Sequence, residues 1–134
     1  MLNLVKLTDT LFVSAQPAPE ELAGLAAQGF STVVCNRPDG ESPDQPSHTE
    51  MKAAANAAGM EFVYYPVNPG TFPGDDLSGL GQTFDSGKKV YAFCRTGTRC
   101  ANLWVASRAP ADRAAAAECA KGLGFDLALS ERVS

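Results

Sequence analysis

Cys94-Arg95-Thr96-Gly97-Thr98-Arg99-Cys100 gathers the residue types best suited to chemistry in this sequence. A thiol becomes a nucleophile when it ionises, and positive charge with free amides around it lowers its free pKa of ~8.5. Arg95 and Arg99 supply two permanent charges. Gly97 permits a positive φ and close backbone approach. Free N–H groups at a helix start, or in a tight turn, attract anions. The pattern predicts Cys94 as the catalytic nucleophile. It predicts Arg95, Thr96, Gly97, Thr98 and Arg99 as the ring that binds an anionic substrate. Cys100 reads in two ways, as a resolving thiol for Cys94 or as a small helix residue where Ser would also fit. A buried cysteine ending a strand is the commoner fate of this residue type, but two arginines and a glycine are poor core material.

Such a loop needs a strand before it and a helix after it. Val90–Phe93 is short, apolar and β-prone, and follows the breaker run Ser86-Gly87-Lys88-Lys89. A helix from about Thr98 to Arg108 carries Leu103, Trp104 and Val105 and stops before Pro110. Further strands are expected at Leu4–Leu7 and Thr10–Val13, around the turn Thr8-Asp9, and at Thr32–Cys35 and Glu61–Tyr65. Pro19 opens one helix; the capping box Ser47-His48-Thr49-Glu50 opens another that runs to Gly59. Asp75 or Asp76 caps a third, with Leu77, Leu80 and Phe84. Ala111–Lys121 reads as helical, and Leu127–Val133 as a last short turn or helix.

This alternation predicts an α/β fold: a single domain, 1–134, with a mainly parallel central sheet of about four or five strands and helices on both faces. Ligands of such sheets bind beyond the carboxyl ends of the strands. The loops after Cys35, Tyr65 and Phe93 should share that edge, which makes Arg37, Asp39, Asn68 and Cys100 candidate pocket residues beside Cys94. An ion pair inside their own loop is an equal reading for Arg37 and Asp39. His48 reads as a solvated helix-start residue, Cys35 and Cys119 as core cysteines, and Trp104 as core packing.

The 134 residues, 45% hydrophobic and 19% charged, describe a globular chain. The net charge of −4 argues against general nucleic-acid binding. It leaves Arg95 and Arg99 as a local focus for a small anion. No stretch has transmembrane length, and the start lacks a basic region followed by a long apolar run, so the expectation is a cytoplasmic setting with reduced thiols. The four cysteines lack CxxC spacing and there is one histidine, so neither a metal site nor a cofactor is expected.

Cys94-Arg-Thr-Gly-Thr-Arg99 resembles the active loop of single-domain rhodaneses, Cys-Arg-x-Gly-x-Arg. The wider chain resembles the phosphatase-like domain of beta-lactamase-hydrolase-like proteins, through Val13-Ser-Ala-Gln-Pro17, Asn36-Arg-Pro-Asp-Gly-Glu41, Gln45-Pro46, Tyr65-Pro-Val-Asn68 and the Cys94 loop. That resemblance implies a fold like the dual-specificity phosphatases. In some members it implies a link to a persulfide dioxygenase of sulfide oxidation.

Two chemistries compete. A cysteine phosphatase uses Cys-x5-Arg, with the arginine forking onto phosphate oxygens. Here four residues separate Cys94 from Arg99. Phe93 stands where such enzymes usually have histidine, and Asn68 stands where they have the acid that protonates the leaving group. Sulfur transfer asks for less. Cys94 becomes a persulfide, the ring of amides holds the terminal sulfur anion, and the leaving groups depart as anions. The expected function is therefore a sulfurtransferase carrying sulfane sulfur from thiosulfate or a persulfide, the small anionic donor, to a thiol acceptor such as glutathione. A phosphatase working through a Cys94 phosphocysteine is the alternative. A non-catalytic anion-binding module is the third reading.

Overall fold

Short runs of β-branched and aromatic residues, each bounded by turn formers, make the strands. In the computed structural model, which describes residues 2–133, these are β1 (Val5–Lys6), β2 (Leu11–Ser14), β3 (Thr32–Cys35), β4 (Glu61–Tyr64) and β5 (Val90–Phe93). They form one sheet in the order β1-β2-β5-β3-β4. Only the β1–β2 pair is antiparallel. Every residue of β3 and β5 is buried, as strands covered on both faces must be.

Among the described residues, six helices cover the two faces: α1 (Leu22–Ala27), α2 (His48–Ala57), α3 (Leu77–Phe84), α4 (Thr98–Ala106), α5 (Arg113–Gly122) and α6 (Ala128–Glu131). Side chains alternate along each strand, so β5 feeds two cores. Tyr91 and Phe93 pack with Leu22, Leu25, Met51 and Ala55 of α1 and α2. Val90 and Ala92 pack with Leu80 and Phe84 of α3, Leu103 of α4, Ala116 of α5 and Leu127 just before α6. Among the described residues, no helix is long and apolar enough to cross a membrane.

Local chemistry sets the helix ends. The Ser47 hydroxyl accepts from the Glu50 amide, and Glu50 reaches back to Ser47. Asp76, rather than Asp75, caps α3 by accepting from the Gly79 amide at 3.0 Å. Pro19 opens a 3-10 turn, Pro19–Glu21, before α1, with the Glu21 carboxylate accepting from the Ala18 amide. α4 stops at Ala106, short of Arg108, because the Ser107 hydroxyl and Arg108 Nε both donate to the Trp104 carbonyl. Trp104 is itself buried, with the Arg108 guanidinium 5.7 Å from its ring centre. One expectation fails: Cys119 lies exposed on α5, while Ala116 and Ala120 take the buried stripe.

α4 is the most deeply set helix, with all residues from Cys100 to Ala106 buried. Leu103→Ala, at a fully buried position, should destabilise the fold by about 2–5 kcal/mol in urea unfolding followed by circular dichroism.

Candidate active site

Parallel register places the strand ends in one row. Ser14 and Cys35 both pair with Phe93, and Tyr64 pairs with Cys35. The chain segments after all four leave from the same edge, and Cys94 is the first residue beyond β5. Its amide is fixed by the Ser14 carbonyl at 3.4 Å, and the Phe93 carbonyl accepts from the Asn36 amide at 2.9 Å. Gly97 caps α4 with φ of +90°, a conformation that L side chains rarely adopt. That turn aims the Gly97 amide at Cys94 Sγ, 3.1 Å away.

Cys94 is fully buried, yet its pKa is lowered to about 6. A hydrogen bond from the Cys100 thiol is the largest cause; burial opposes it, and the amides of Cys100, Thr96 and Arg99 add to it. Cys100 shifts the other way, well up, because it is buried and faces the Cys94 thiolate. The pair thus holds one proton, on Cys100, at neutral pH. The amino-acid types alone put the depressing influence on Arg95 and Arg99. In the folded chain Cys100 and the loop amides are the main causes instead. Arg95 and Thr96 are exposed, and the Thr96 hydroxyl donates to Thr98.

The Arg99 fork grips a carboxylate. Its NH1 and NH2 groups donate to Glu41 Oε2 and Oε1, each at 2.8 Å, and NH1 also donates to the Val67 carbonyl at 2.9 Å. Arg37 holds Glu41 from the other side, with Nε 3.1 Å from Oε1. Arg37 also donates to Gln16 and Ser42. Glu41 therefore joins the loop after β3 to the first turn of α4. Arg99 first, with Arg37, holds its carboxyl below the usual range. Glu41 and Gln16 are not among the candidates drawn from the sequence. The Arg37-x3-Glu41 spacing is the available signal for the first, and membership of the Val13-Ser-Ala-Gln-Pro17 motif for the second.

Asp39 and Asn68 stand apart from this network. Asp39 accepts from the His48 amide at 2.8 Å and pairs with His48 Nδ1 at 2.6 Å. The His48 ring stacks on Tyr64 at 3.9 Å, so His48 is partnered rather than merely solvated. Asn68 folds its own loop, its Oδ1 accepting from the Gly70 and Thr71 amides. A cleft of about 370 Å³ beside β4 is lined by Tyr64, Tyr65 and the Asp75-Asp76 pair, and not by Cys94. Among the described residues, no cluster of three or more His, Cys, Asp or Glu side chains could hold a metal ion.

Residues 3–111 match the phosphatase-like domain of beta-lactamase hydrolase-like proteins. The chain belongs to that family. It is 34% identical over 135 residues to the beta-lactamase hydrolase-like protein of Agrobacterium fabrum (strain C58), covering 98% of this chain and 31% of the relative. This phosphatase-like chain thus spans about a third of that relative's length. A Neisseria meningitidis Z2491 protein, provisionally named a phosphatase, superposes with a TM-score of 0.75 at 30% identity, covering 97% of this chain and 95% of its own. Tk-PTP in its active form gives 0.73 at 25% identity, covering 97% and 92%. The fold is that of the protein tyrosine phosphatases.

Because thiolate formation rests on the Cys100 proton, alkylation of Cys94 by iodoacetamide should rise with pH and reach half its plateau near pH 6. Cys100→Ala should move that midpoint upward, toward an ordinary thiol, and Cys100→Ser should restore much of the difference. An unchanged midpoint in Cys100→Ala would contradict the assignment.

Proposed function

We propose that this phosphatase-like domain is a cysteine-dependent sulfurtransferase that moves sulfane sulfur from a small anionic donor, thiosulfate or a persulfide, to a thiol acceptor such as glutathione. The state of the carboxylates at the active edge carries this reading. On the loops after β3 and β4, Glu41 is ion-paired twice, Asp39 is bound to His48, Asp44 accepts from Ser42, Asp76 caps α3, and Asp75 is exposed beside the separate cleft. These engagements favour roles other than protonating a leaving group, the acid step that a poor leaving group requires. Sulfite and thiolates leave as anions and need no such acid.

The step begins with the Cys94 thiolate attacking the outer sulfur of the donor. A new S–S bond forms, the donor's own S–S bond breaks, and the electron pair departs on sulfite or on the donor thiolate. The loop amides stabilise the terminal sulfur anion of the Cys94 persulfide. The acceptor thiolate then takes that sulfur and frees Cys94. Such chemistry fits the reducing cytoplasm. Its product is the substrate class of a persulfide dioxygenase, the functional partner this reading suggests.

The second reading is a phosphatase using a Cys94 phosphocysteine. The comparisons favour it over sulfur transfer: the family is phosphatase-like, and the structural neighbours carry phosphatase names. Against it stand the four-residue spacing to Arg99 and the missing acid. The two readings separate in one pair of assays. Incubation with thiosulfate should add one sulfur to Cys94 by mass spectrometry, while an aryl phosphate should release no phosphate. Phosphate release without sulfur loading would install the phosphatase, and neither result would leave an anion-binding module. Cys94→Ser should abolish either activity. Arg99→Ala should lower donor kcat/KM by about tenfold or more, and Arg108→Ala much less; equal losses would contradict the role given to Arg99.

A further inference from the structure

Glu41 takes no part in the reaction above, yet it occupies the guanidinium that a substrate anion would be expected to meet. Both terminal nitrogens of Arg99 donate to it at 2.8 Å. The Arg99 and Glu41 side chains are 13% and 21% exposed, and that of Arg37, on the far side of Glu41, is 5% exposed. With Cys94 as thiolate, this group carries two positive and two negative charges, which cancel.

We infer that Glu41 sets the charge of the donor: the cradle takes a singly charged organic perthiolate in preference to doubly charged donors such as thiosulfate. This rests on the sulfurtransferase reading and narrows it. The sulfonate end of thiosulfate, like a phosphate monoester, is best held by a free guanidinium fork. Here three of the five N–H groups already donate to Glu41 and Val67, and a dianion must either displace Glu41 or sit beside it on the Nε side. It would also enter a group with no net positive charge left to offset it, where partial burial makes like-charge repulsion stronger than in water. A perthiolate brings one charge, which the amides around Cys94 Sγ, among them that of Gly97 at 3.1 Å, can hold beside an Arg99 that stays paired with Glu41. The transfer balances. Cys94 Sγ bonds to the terminal sulfur, the donor's S–S bond breaks, its electron pair leaves on the donor thiolate, and total charge is unchanged.

The test compares 2-hydroxyethyl persulfide, a perthiolate with a single charge, with thiosulfate as donors for the whole chain. Wild-type kcat/KM should favour the persulfide by about tenfold or more. Glu41→Gln, nearly isosteric, removes one negative charge and loosens the grip on Arg99. It should shift the ratio toward thiosulfate by about tenfold or more, chiefly through a lower KM for thiosulfate. Inorganic phosphate should also protect Cys94 from alkylation at lower concentration in Glu41→Gln than in wild type. A wild type that uses thiosulfate as well as the persulfide overturns the inference, even if the variant does not fold. So does a folded Glu41→Gln with an unchanged ratio and unchanged phosphate protection; the reaction itself then survives. Failure of both donors to load Cys94 sinks the sulfurtransferase reading and this inference with it.

Discussion

One negative charge on a sulfur atom sealed from solvent is the condition that the rest of the site serves. An isolated ion in such a place would be costly, and an ordinary thiol would stay protonated. The charge persists because donors converge on it: the Cys100 thiol, the Gly97 amide, and the amides of Thr96, Arg99 and Cys100. Each comes from the short turn between β5 and α4 or from the first turn of α4. That turn in turn depends on Gly97, and on the Ser14 and Asn36 backbones that brace the end of β5 on both sides. The whole parallel register is thus enlisted in holding one atom.

The arginines act at one remove. Arg37 and Arg99 share Glu41, so their charge is largely spent on a neighbour rather than on the sulfur. The arrangement leaves a site that favours the thiolate but is close to neutral. Membership of a phosphatase-like family does not decide which chemistry such a site performs, since unrelated reactions recur on one scaffold. The reacting group and its surroundings decide, and here an anion-stabilising loop faces a Glu41 carboxylate already held by two arginines.

The elements were legible where local signals agree. Thr32–Cys35 and Val90–Phe93 are apolar runs fenced by breakers, and Ser47 with Glu50 is a reciprocal cap written in four residues. The mainly parallel sheet and its two covered faces follow from the order of those elements. Cys119 was misplaced because an alanine-rich helix carries almost no phase: with small apolar residues all round, nothing says which stripe turns inward. Within the site, Cys94 and its loop stand out by type. The grip of Arg99 on Glu41 does not, since 58 positions separate the two and the pairing exists only after the sheet brings their loops together. Asp39 and Asn68 lie on the expected loops but turn to local partners, a choice that composition cannot reveal.

The burial of Trp104 has a practical side. It is the chain's single tryptophan, and it sits on the same helix whose first turn cups the reactive sulfur. Its indole is surrounded by core side chains, with a guanidinium near its ring. Emission excited at wavelengths that tyrosine does not absorb therefore comes from one known place, and the colour of that light registers how well α4 is seated without any added dye.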